Sequence, residues 1–332
     1  MPNNAETVLL TTLGSEMTTQ LLKMRTLDDD DDKLVIDLDS SKKERTTDDG
    51  RPSWMKNLAT TSAQWLSLVP KNLPLLVRTS ENIKDSLFRF FDREVSQGSA
   101  LLDDVRRDLH EVSLVCTGQK KLTNYLRTLV NELAKGILPK SWNRYNVPRN
   151  TTVLQWIADF SDRIKQLRII SSIGNSEGPS ALRNQNIWLG GLFTTEAFIT
   201  ATRQYVAQLN GWSLEELSLQ IKVSDREDGS DLTLDSSSFG ITGLKLLGAE
   251  CEHNKLELTT QIATNLPLTA FTWVRLPPEQ RDVVGKNQVM LPVYLNFTRA
   301  DLLFTLNFDL TSDNSQVFYE RGVALLCSGQ IA

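Results

Sequence analysis

The chain has few of the residues that metal and redox sites require. Its 332 residues include only three cysteines and two histidines. Cys116, Cys251 and Cys327 are far apart in the sequence and form no CxxC pair. An odd, scattered set of this kind is typical of free thiols in a reducing compartment. The cysteines therefore give no reason to expect a disulfide or a thiolate metal site.

The chain also lacks an excess of positive charge. Asp and Glu number 41 against 36 Lys and Arg, which gives a net charge of −5. A protein that holds a phosphate backbone needs a positive field at its surface. We therefore do not expect nucleic acid as a partner.

No stretch of the sequence is apolar enough to enter a membrane. The charge-free stretch of apolar character at residues 184–195 contains two glycines and is well short of the roughly 20 residues of a spanning helix. The N-terminus carries no Lys or Arg before Lys23, and its apolar run at 8–10 is too short for a signal peptide. We predict a cytoplasmic protein without a membrane partner.

Two glycine-containing segments invite comparison with phosphate-binding loops. Gly190-Gly191 precedes a predicted helix, but neither GxxxxGK[ST] nor GxGxxG is present there. Gly243 and Gly248 have the glycine spacing of a phosphate loop, yet Ala249-Glu250 stands where Lys-Ser/Thr is required. A carboxylate beside the phosphates would repel them, so we predict no nucleotide site.

Residues suited to acid–base or metal chemistry are isolated. His110 and His253 each lie beside a glutamate, and both are more typical of solvated histidines because the sequence places no nucleophile near them. Glu250, Glu252 and His253 resemble a metal cluster, but we expect them in a turn-like segment without a second ligand group. We therefore predict no catalytic residue, no cofactor-binding residue and no metal ligand.

The residues from 54 to 210 have the periodicity of helices. Apolar side chains at 153, 156, 157, 160, 164, 167 and 170 form one helical stripe. The Ser, Gly and Pro content of 171–180 predicts a loop, and Asn210-Gly211 predicts the end of a following helix. The aromatic residues of this region could be imagined as a ligand cage, but aromatics at helical spacing are usually core residues. They are Phe88, Phe90, Phe91, Trp142 and Trp156.

From residue 211 to 332 the apolar period changes to two. Alternating apolar residues occupy 217–223, 289–297 and 302–310, with turn residues between the runs. Pro292 within one of these runs suits an edge strand or a bulge. Successive strands without intervening helices predict an antiparallel barrel or sandwich. The fold class is therefore α+β, with a helical half at 54–210 and a β half at 211–332.

The N-terminal part differs from both halves. Residues 28–53 are rich in Asp, Ser and Thr, which predicts an acidic flexible linker or, as the alternative, an acidic docking tail. Residues 1–27 have loosely helical spacing but too few apolar residues for an independent core. They are expected to be the end of a larger fold.

Several ordered motifs resemble the C-terminal domain family of dynein heavy chains. These motifs are WLGGLF at 188–193, EAFITATRQ at 196–204, the glycines 243 and 248, PVY at 292–294 with Arg299, and RGVALLC at 321–327. The resemblance extends upstream to residues 86–89, 138–142 and 156–160, and so covers essentially the whole sequence. Leu291 and the run YLNFTRAD at 294–301 are more similar to cytoplasmic than to axonemal members.

The resemblance implies a particular architecture and role. Residues 1–27 would be the tail of the preceding AAA+ small subdomain, and the β half an incomplete six-stranded barrel. Implied partners are the AAA+ modules of the same dynein heavy chain and, through the full-length protein, the dynein complex subunits, with no direct microtubule contact. The implied role is a non-catalytic cap that braces the ring and tunes ATP-driven, minus-end-directed microtubule motility. It would be cytoplasmic and cytoskeleton-associated.

Two other classes of function stay open at this point. A stand-alone β-barrel binding module predicts a stable monomer with a ligand-sized cavity in the barrel. A hydrolase with unrecognised residues predicts a titratable group near neutral pH in a cleft.

Overall fold

The computed structural model describes residues 52–327, apart from 149, 278, 280–283, 286 and 313. Predicted segments 1–27 and 28–53 therefore lie outside the described residues, except for the last two positions of the second. The helices in the described part are α1 (Ser53–Leu68), α2 (Ser86–Cys116), α3 (Asn124–Ala134), α4 (Val153–Ser176), α5 (Pro179–Leu182), α6 (Thr195–Asn210) and α7 (Gln316–Glu320).

The strands follow α5 in the sequence. They are β1 (Ile187–Trp188), β2 (Leu217–Val223), β3 (Ser238–Thr242), β4 (Lys245–Glu252), β5 (Lys255–Asn265), β6 (Thr269–Arg275), β7 (Gln288–Tyr294), β8 (Leu302–Leu310) and β9 (Ala324–Leu326). The described residues form two compact units. The first unit contains the residues up to Asn72 and Ser99–Ile164, and the second contains Leu73–Gly98 and the residues from Lys165 onward.

The first unit is helical and has an aromatic core. The rings of Trp142 and Trp156 stack at 5.3 Å, and those of Trp156 and Phe160 at 4.9 Å. All three side chains are fully buried. The prediction that Trp142 and Trp156 are core residues is therefore confirmed, because stacked, buried aromatics leave no open ring face for a ligand.

The second unit combines α6 and the first half of α2 with the strands. Phe90, Phe91 and Phe198 are buried, and the ring of Phe198 lies 6.4 Å from that of Phe239 on β3. Across the sheet, the indole nitrogen of Trp273 donates to Thr202 Oγ1 on α6 at 3.1 Å. Helix α6 therefore shares a core with the sheet.

Two β structures are present in the second unit. Four strands form a mixed sheet in the order β1-β3-β6-β2, in which β1 pairs parallel to β3. Five strands form a closed barrel in the order β4-β5-β8-β7-β9, with parallel pairs β5–β8 and β7–β9. The α+β class is confirmed, but the prediction of a wholly antiparallel, incomplete barrel is wrong.

The parallel β7–β9 pair has a simple topological cause. Strand β9 is reached through α7, and this longer connection lets the backbone return beside β7 in the same direction. Pro292 lies in β7 opposite Thr305 of β8, and the pairing of β7 with β9 begins at the next residue, Val293. Pro292 lies one residue before the register irregularity between Val293 and Tyr294.

Helix α4 also differs from the prediction. It continues to Ser176, through most of the loop predicted at 171–180. Gly174 has a packing role inside this helix, since the side chains of Leu76 and Leu182 lie 2.6 and 3.3 Å from the position of an added Cβ. By contrast, α6 ends at Gly211 in the left-handed conformation (φ 67°), as predicted.

Candidate functional site

The glycine pair at 190–191 serves backbone packing. The Trp188 amide donates to Gln166 Oε1 at 2.7 Å, and Gln166 Nε2 donates back to the Trp188 carbonyl at 3.2 Å. This pairing fixes the backbone so that Gly191 lies against the Trp188 ring and Gly190 against the Cys327 carbonyl. A side chain at either glycine would overlap these groups. The space beside the two glycines is thus filled by protein atoms.

Gly243 and Gly248 lie in a β context. Gly243 (φ 75°) packs against the Trp188 ring, and Gly248 (φ 72°) lies within β4, with Ala249 and Glu250 continuing the strand. A phosphate loop places its last residues at the start of a helix, where backbone amides point at the phosphates. The backbone runs on as a strand after Gly248 and offers no such amide cradle.

His110 and His253 lie on different elements of the fold. His110 is exposed on α2. His253 occupies the tip of the β4–β5 hairpin with a positive φ of 49°, and its Nδ1 lies 3.1 Å from Asp225 Oδ2. Glu250 lies in β4, not in a turn. Among the described residues no group of three or more His, Cys, Asp or Glu side chains has the spacing of a metal site.

The three thiols are held in their neutral form. Burial raises the pKa of the Cys116 thiol to about 11. Burial also raises the pKa of Cys327 to about 12, and burial together with the charge of Asp225 does the same for Cys251. A thiol that stays protonated near neutral pH is a poor nucleophile and a poor metal ligand.

A surface groove of about 450 Å³ lies between the first half of α2 and α6. Its floor includes Ser86, Phe90, Ala197 and Ala201. The hydroxyl of Ser86 donates to the Ala201 carbonyl at 3.0 Å, which ties the two helices together beneath the groove. We call this feature the α2–α6 groove.

The N-terminus of α6 is capped from α2. Glu94 is 2% exposed, and its carboxylate oxygens accept hydrogen bonds from the amides of Phe193 at 2.6 Å and Thr194 at 2.9 Å. Thr194, the residue before the first turn of α6, makes no side-chain cap bond of its own. Glu94 supplies the negative charge that a helix N-terminus favours.

The walls of the groove carry two cationic side chains and several polar ones. Arg89 and Arg93 are exposed on α2 and line the groove opposite Thr200 and Gln204 on α6. A second hollow of about 380 Å³ shares Arg89 and Gln204 and continues to Trp212 and Leu214 at the C-terminal end of α6. The groove and its extension form one elongated surface feature.

Sequence reasoning did not single out this groove. Arg89 and Arg93 are four residues apart, on the side of α2 away from its buried residues Leu87, Phe91 and Val95. That pattern is visible in the sequence, but the opposing wall comes from α6, about a hundred residues later.

None of the helices in the described part of the protein is both long and apolar enough to cross a bilayer.

Comparison with known proteins identifies the relatives of this chain. Residues 11–327 match the family described as the C-terminal domain of dynein heavy chains. The chain is similar to the cytoplasmic dynein heavy chain of Drosophila melanogaster, at 48% identity over 99% of its length, and to that of Caenorhabditis elegans, at 42% identity over 100%. Dynein axonemal heavy chain 9 of Homo sapiens is 26% identical over 77% of the sequence.

These matches confirm the family resemblance and the greater similarity to cytoplasmic members. The chain spans only 6–7% of the length of these three relatives.

Proposed function

Because this chain belongs to the C-terminal domain family of dynein heavy chains, we propose that it is a non-catalytic cap of a motor ring. In this role it braces the AAA+ modules and tunes ATP-driven, minus-end-directed microtubule motility. The parent heavy chain is the ATP-driven motor, and the segment described here contributes no catalytic, cofactor-binding or metal-binding residue. It acts through packing and interface contacts between elements that rearrange.

The observation that carries this proposal is the match to the C-terminal domain family over residues 11–327. The packing of the glycine motifs supports it. Gly190 and Gly191 are in contact with Cys327 and Trp188, and Gly248 lies within a strand. Segments that resemble phosphate loops in sequence are thus used for structure, as a bracing domain requires.

The partners in this proposal are the AAA+ modules of the same heavy chain and, through the full-length protein, the dynein complex subunits. Nucleic acid, membrane and direct microtubule contact have no part in it. The location is cytoplasmic and cytoskeleton-associated. Within the sequence, residues 1–27 are proposed as the tail of the preceding AAA+ small subdomain and 28–53 as an acidic linker. Residues 54–210 and 211–332 are proposed as the helical and β halves.

The alternative of a stand-alone β-barrel binding module is less well supported. Along β7, Val289, Leu291 and Val293 are 0% exposed, and Leu306 on the neighbouring β8 is 1% exposed. Small barrels are filled by such side chains. A binding module would instead need polar groups that converge on an interior cavity.

The test is binding of this protein to a dynein motor ring that ends before the equivalent segment. Binding, ATPase rate and stepping are measured in parallel. We expect saturable binding and altered stepping, with no ATPase activity from the protein alone. A well-folded, monodisperse protein that neither binds the ring nor changes its stepping would contradict the proposal that it acts as a separable cap.

A further inference from the structure

We propose that the α2–α6 groove binds an acidic segment of a partner protein. Two carboxylates one helical turn apart face Arg89 and Arg93, and an apolar side chain of the segment reaches Trp212. This inference rests on the proposed function, because the partner segment is taken to belong to the motor ring. The chemistry of the groove specifies what that segment must carry.

The charge of the groove is positive and unbalanced. Arg89 and Arg93 are exposed, and neither makes an ion pair with another described residue. The one acidic residue among those lining the groove and its extension is Glu94. Its carboxylate is buried and bonded to the amides of Phe193 and Thr194. The two guanidinium groups therefore face the groove without a direct ion-pair partner among the described residues, and with Glu94 counted the lining residues carry one net positive charge.

The spacing of the two arginines indicates the form of the partner. Residues four apart on a helix have Cβ atoms about 5–6 Å apart. Two carboxylates at the same spacing on a partner helix can each meet one guanidinium. Arginine is well suited to this role because its planar fork can bind a carboxylate through two parallel hydrogen bonds.

The shape of the groove leaves room for such a segment. On α6, Ala197, Ala201 and Ala207 present short side chains to the groove and its extension. A partner helix can therefore approach closely and lay one face into the hollow, as in other helix-in-groove complexes. The polar side chain of Gln204 lies where the two hollows meet.

The far end of the groove is apolar. Trp212 is half-buried, and Leu214 is 42% exposed. Aromatic residues and arginine are enriched at protein interfaces, and tryptophan and arginine are frequent energetic centres of binding. A cationic wall that ends in an exposed apolar site matches an amphipathic acidic segment better than it matches a nucleotide or an anion alone.

The test is the ring-binding assay with a charge-reversed groove. We expect the double variant Arg89→Glu/Arg93→Glu to bind the truncated ring at least about tenfold more weakly than the unsubstituted protein, with a smaller dependence on salt. The matched control, Lys121→Glu/Arg127→Glu, reverses two exposed cations on the first unit. The control is expected to bind within about twofold of the unsubstituted protein. Circular dichroism melting verifies that both variants are folded.

A second variant tests the groove without changing its charge. Thr200 is exposed on the groove wall, so Thr200→Trp fills the groove while preserving the arginines. We expect this variant to weaken binding as well. A photo-crosslinking residue placed at Gln208 is expected to capture a ring peptide that contains at least two Asp or Glu residues.

The outcomes separate the two proposals. If the unsubstituted protein does not bind the ring, the proposed function fails. If it binds and the charge-reversed groove binds equally well, the groove inference is wrong and the proposed function stands. Equal weakening by the control variant would show a general charge effect, and a captured peptide without acidic residues would exclude an acidic partner. Either result would overturn the inference.

Discussion

Gly190 lies directly against the backbone carbonyl of Cys327, so that a Cβ at this position would overlap the carbonyl oxygen. The contact joins the short helical turn after β1 to the residue that follows β9, at the end of the last strand. Because both the Gly190 segment and the Cys327 carbonyl are backbone, neither can rotate away from an added methyl group as a side chain could. A glycine is therefore required at this position for steric reasons and not for its dihedral freedom.

We expect Gly190→Ala to lower the free energy of unfolding by about 2–3 kcal/mol, because the added methyl group displaces one of two packed segments. Urea denaturation followed by circular dichroism measures the change. Gly174→Ala is the matched control. Its neighbours are the ends of the Leu76 and Leu182 side chains, which can move, and alanine favours the helix interior. The control is expected to change stability by less than about 1 kcal/mol, and equal effects of the two substitutions would contradict the argument.

Elements defined by local spacing could be predicted from the sequence, whereas contacts between distant segments could not. Helical spacing predicted the helical character of 54–210 and the body of α4, because buried faces of helices recur at local intervals. The parallel β7–β9 pair could not be predicted, since it depends on where the backbone returns after α7. The helix through 171–176 was missed because serine and glycine suggest a loop until Leu76 and Leu182 are known to pack there.

In the candidate site, too, local patterns could be predicted from the sequence and contacts between distant segments could not. The missing Lys-Ser/Thr after Gly248 was visible in the sequence and argued against a phosphate loop. By contrast, Glu94 on α2 caps α6 across about a hundred residues, and no local pattern indicates that pairing. Arg89 and Arg93 become a groove wall only once this tertiary contact has brought α6 beside α2.

The Glu94 cap is expected to contribute strongly to stability. Glu94→Gln keeps one carbonyl acceptor but removes the charge and one of the two amide bonds, which run to Phe193 and Thr194. We expect a loss of about 1–3 kcal/mol, the typical cost of leaving a buried polar group unpaired. Urea denaturation measures the loss.

Glu196→Gln is the control for this prediction. Glu196 is exposed in the first turn of the same helix, where a charge contributes about 0.3–1 kcal/mol through the helix dipole. A larger effect at Glu196 than at Glu94 would show that the dipole, and not the buried hydrogen bonds, stabilises this helix end.

Cys327 is expected to make the fold sensitive to alkaline pH. Burial raises its pKa from 9.0 to about 12, so the folded protein keeps the proton while the unfolded protein loses it. The contribution of the Cys327 thiol to the free energy of unfolding is therefore fully present below pH 9 and is lost as the pH rises toward 12. The expected slope is about 1.4 kcal/mol per pH unit for one proton.

The measurement is urea denaturation of the unsubstituted protein and of Cys327→Ala at several pH values from about 8 to 11. This range begins below the pKa of the unfolded thiol and extends toward the pKa of the folded one. The variant is less stable throughout because it loses a core side chain, but its stability should fall less steeply above about pH 9. As an independent check, the native thiols should resist a disulfide reagent at about pH 8 and react once guanidinium chloride unfolds the protein. Parallel slopes for the two proteins would contradict this prediction.

In the first unit, two donors share one oxygen of a fully buried carboxylate. The Tyr125 hydroxyl donates to Asp108 Oδ2 at 2.7 Å, and the Trp142 indole nitrogen donates to the same atom at 2.9 Å. On the other oxygen, Oδ1, the nearest cation is Arg107, whose Nε lies 4.0 Å away. The charge of Asp108 therefore depends on the two hydrogen bonds to Oδ2.

We expect Tyr125→Phe and Trp142→Phe each to cost about 1–3 kcal/mol of unfolding free energy, and the double variant to cost more than their sum. The reason is that either donor alone still solvates Oδ2, whereas removal of both leaves a buried charge without a hydrogen bond on that atom. Urea denaturation of the four proteins gives the coupling energy. Asp108→Asn in the double-variant background then serves as the decisive control. Because it removes the charge, it should restore part of the lost stability, and a further loss would show that the two side chains act through packing alone.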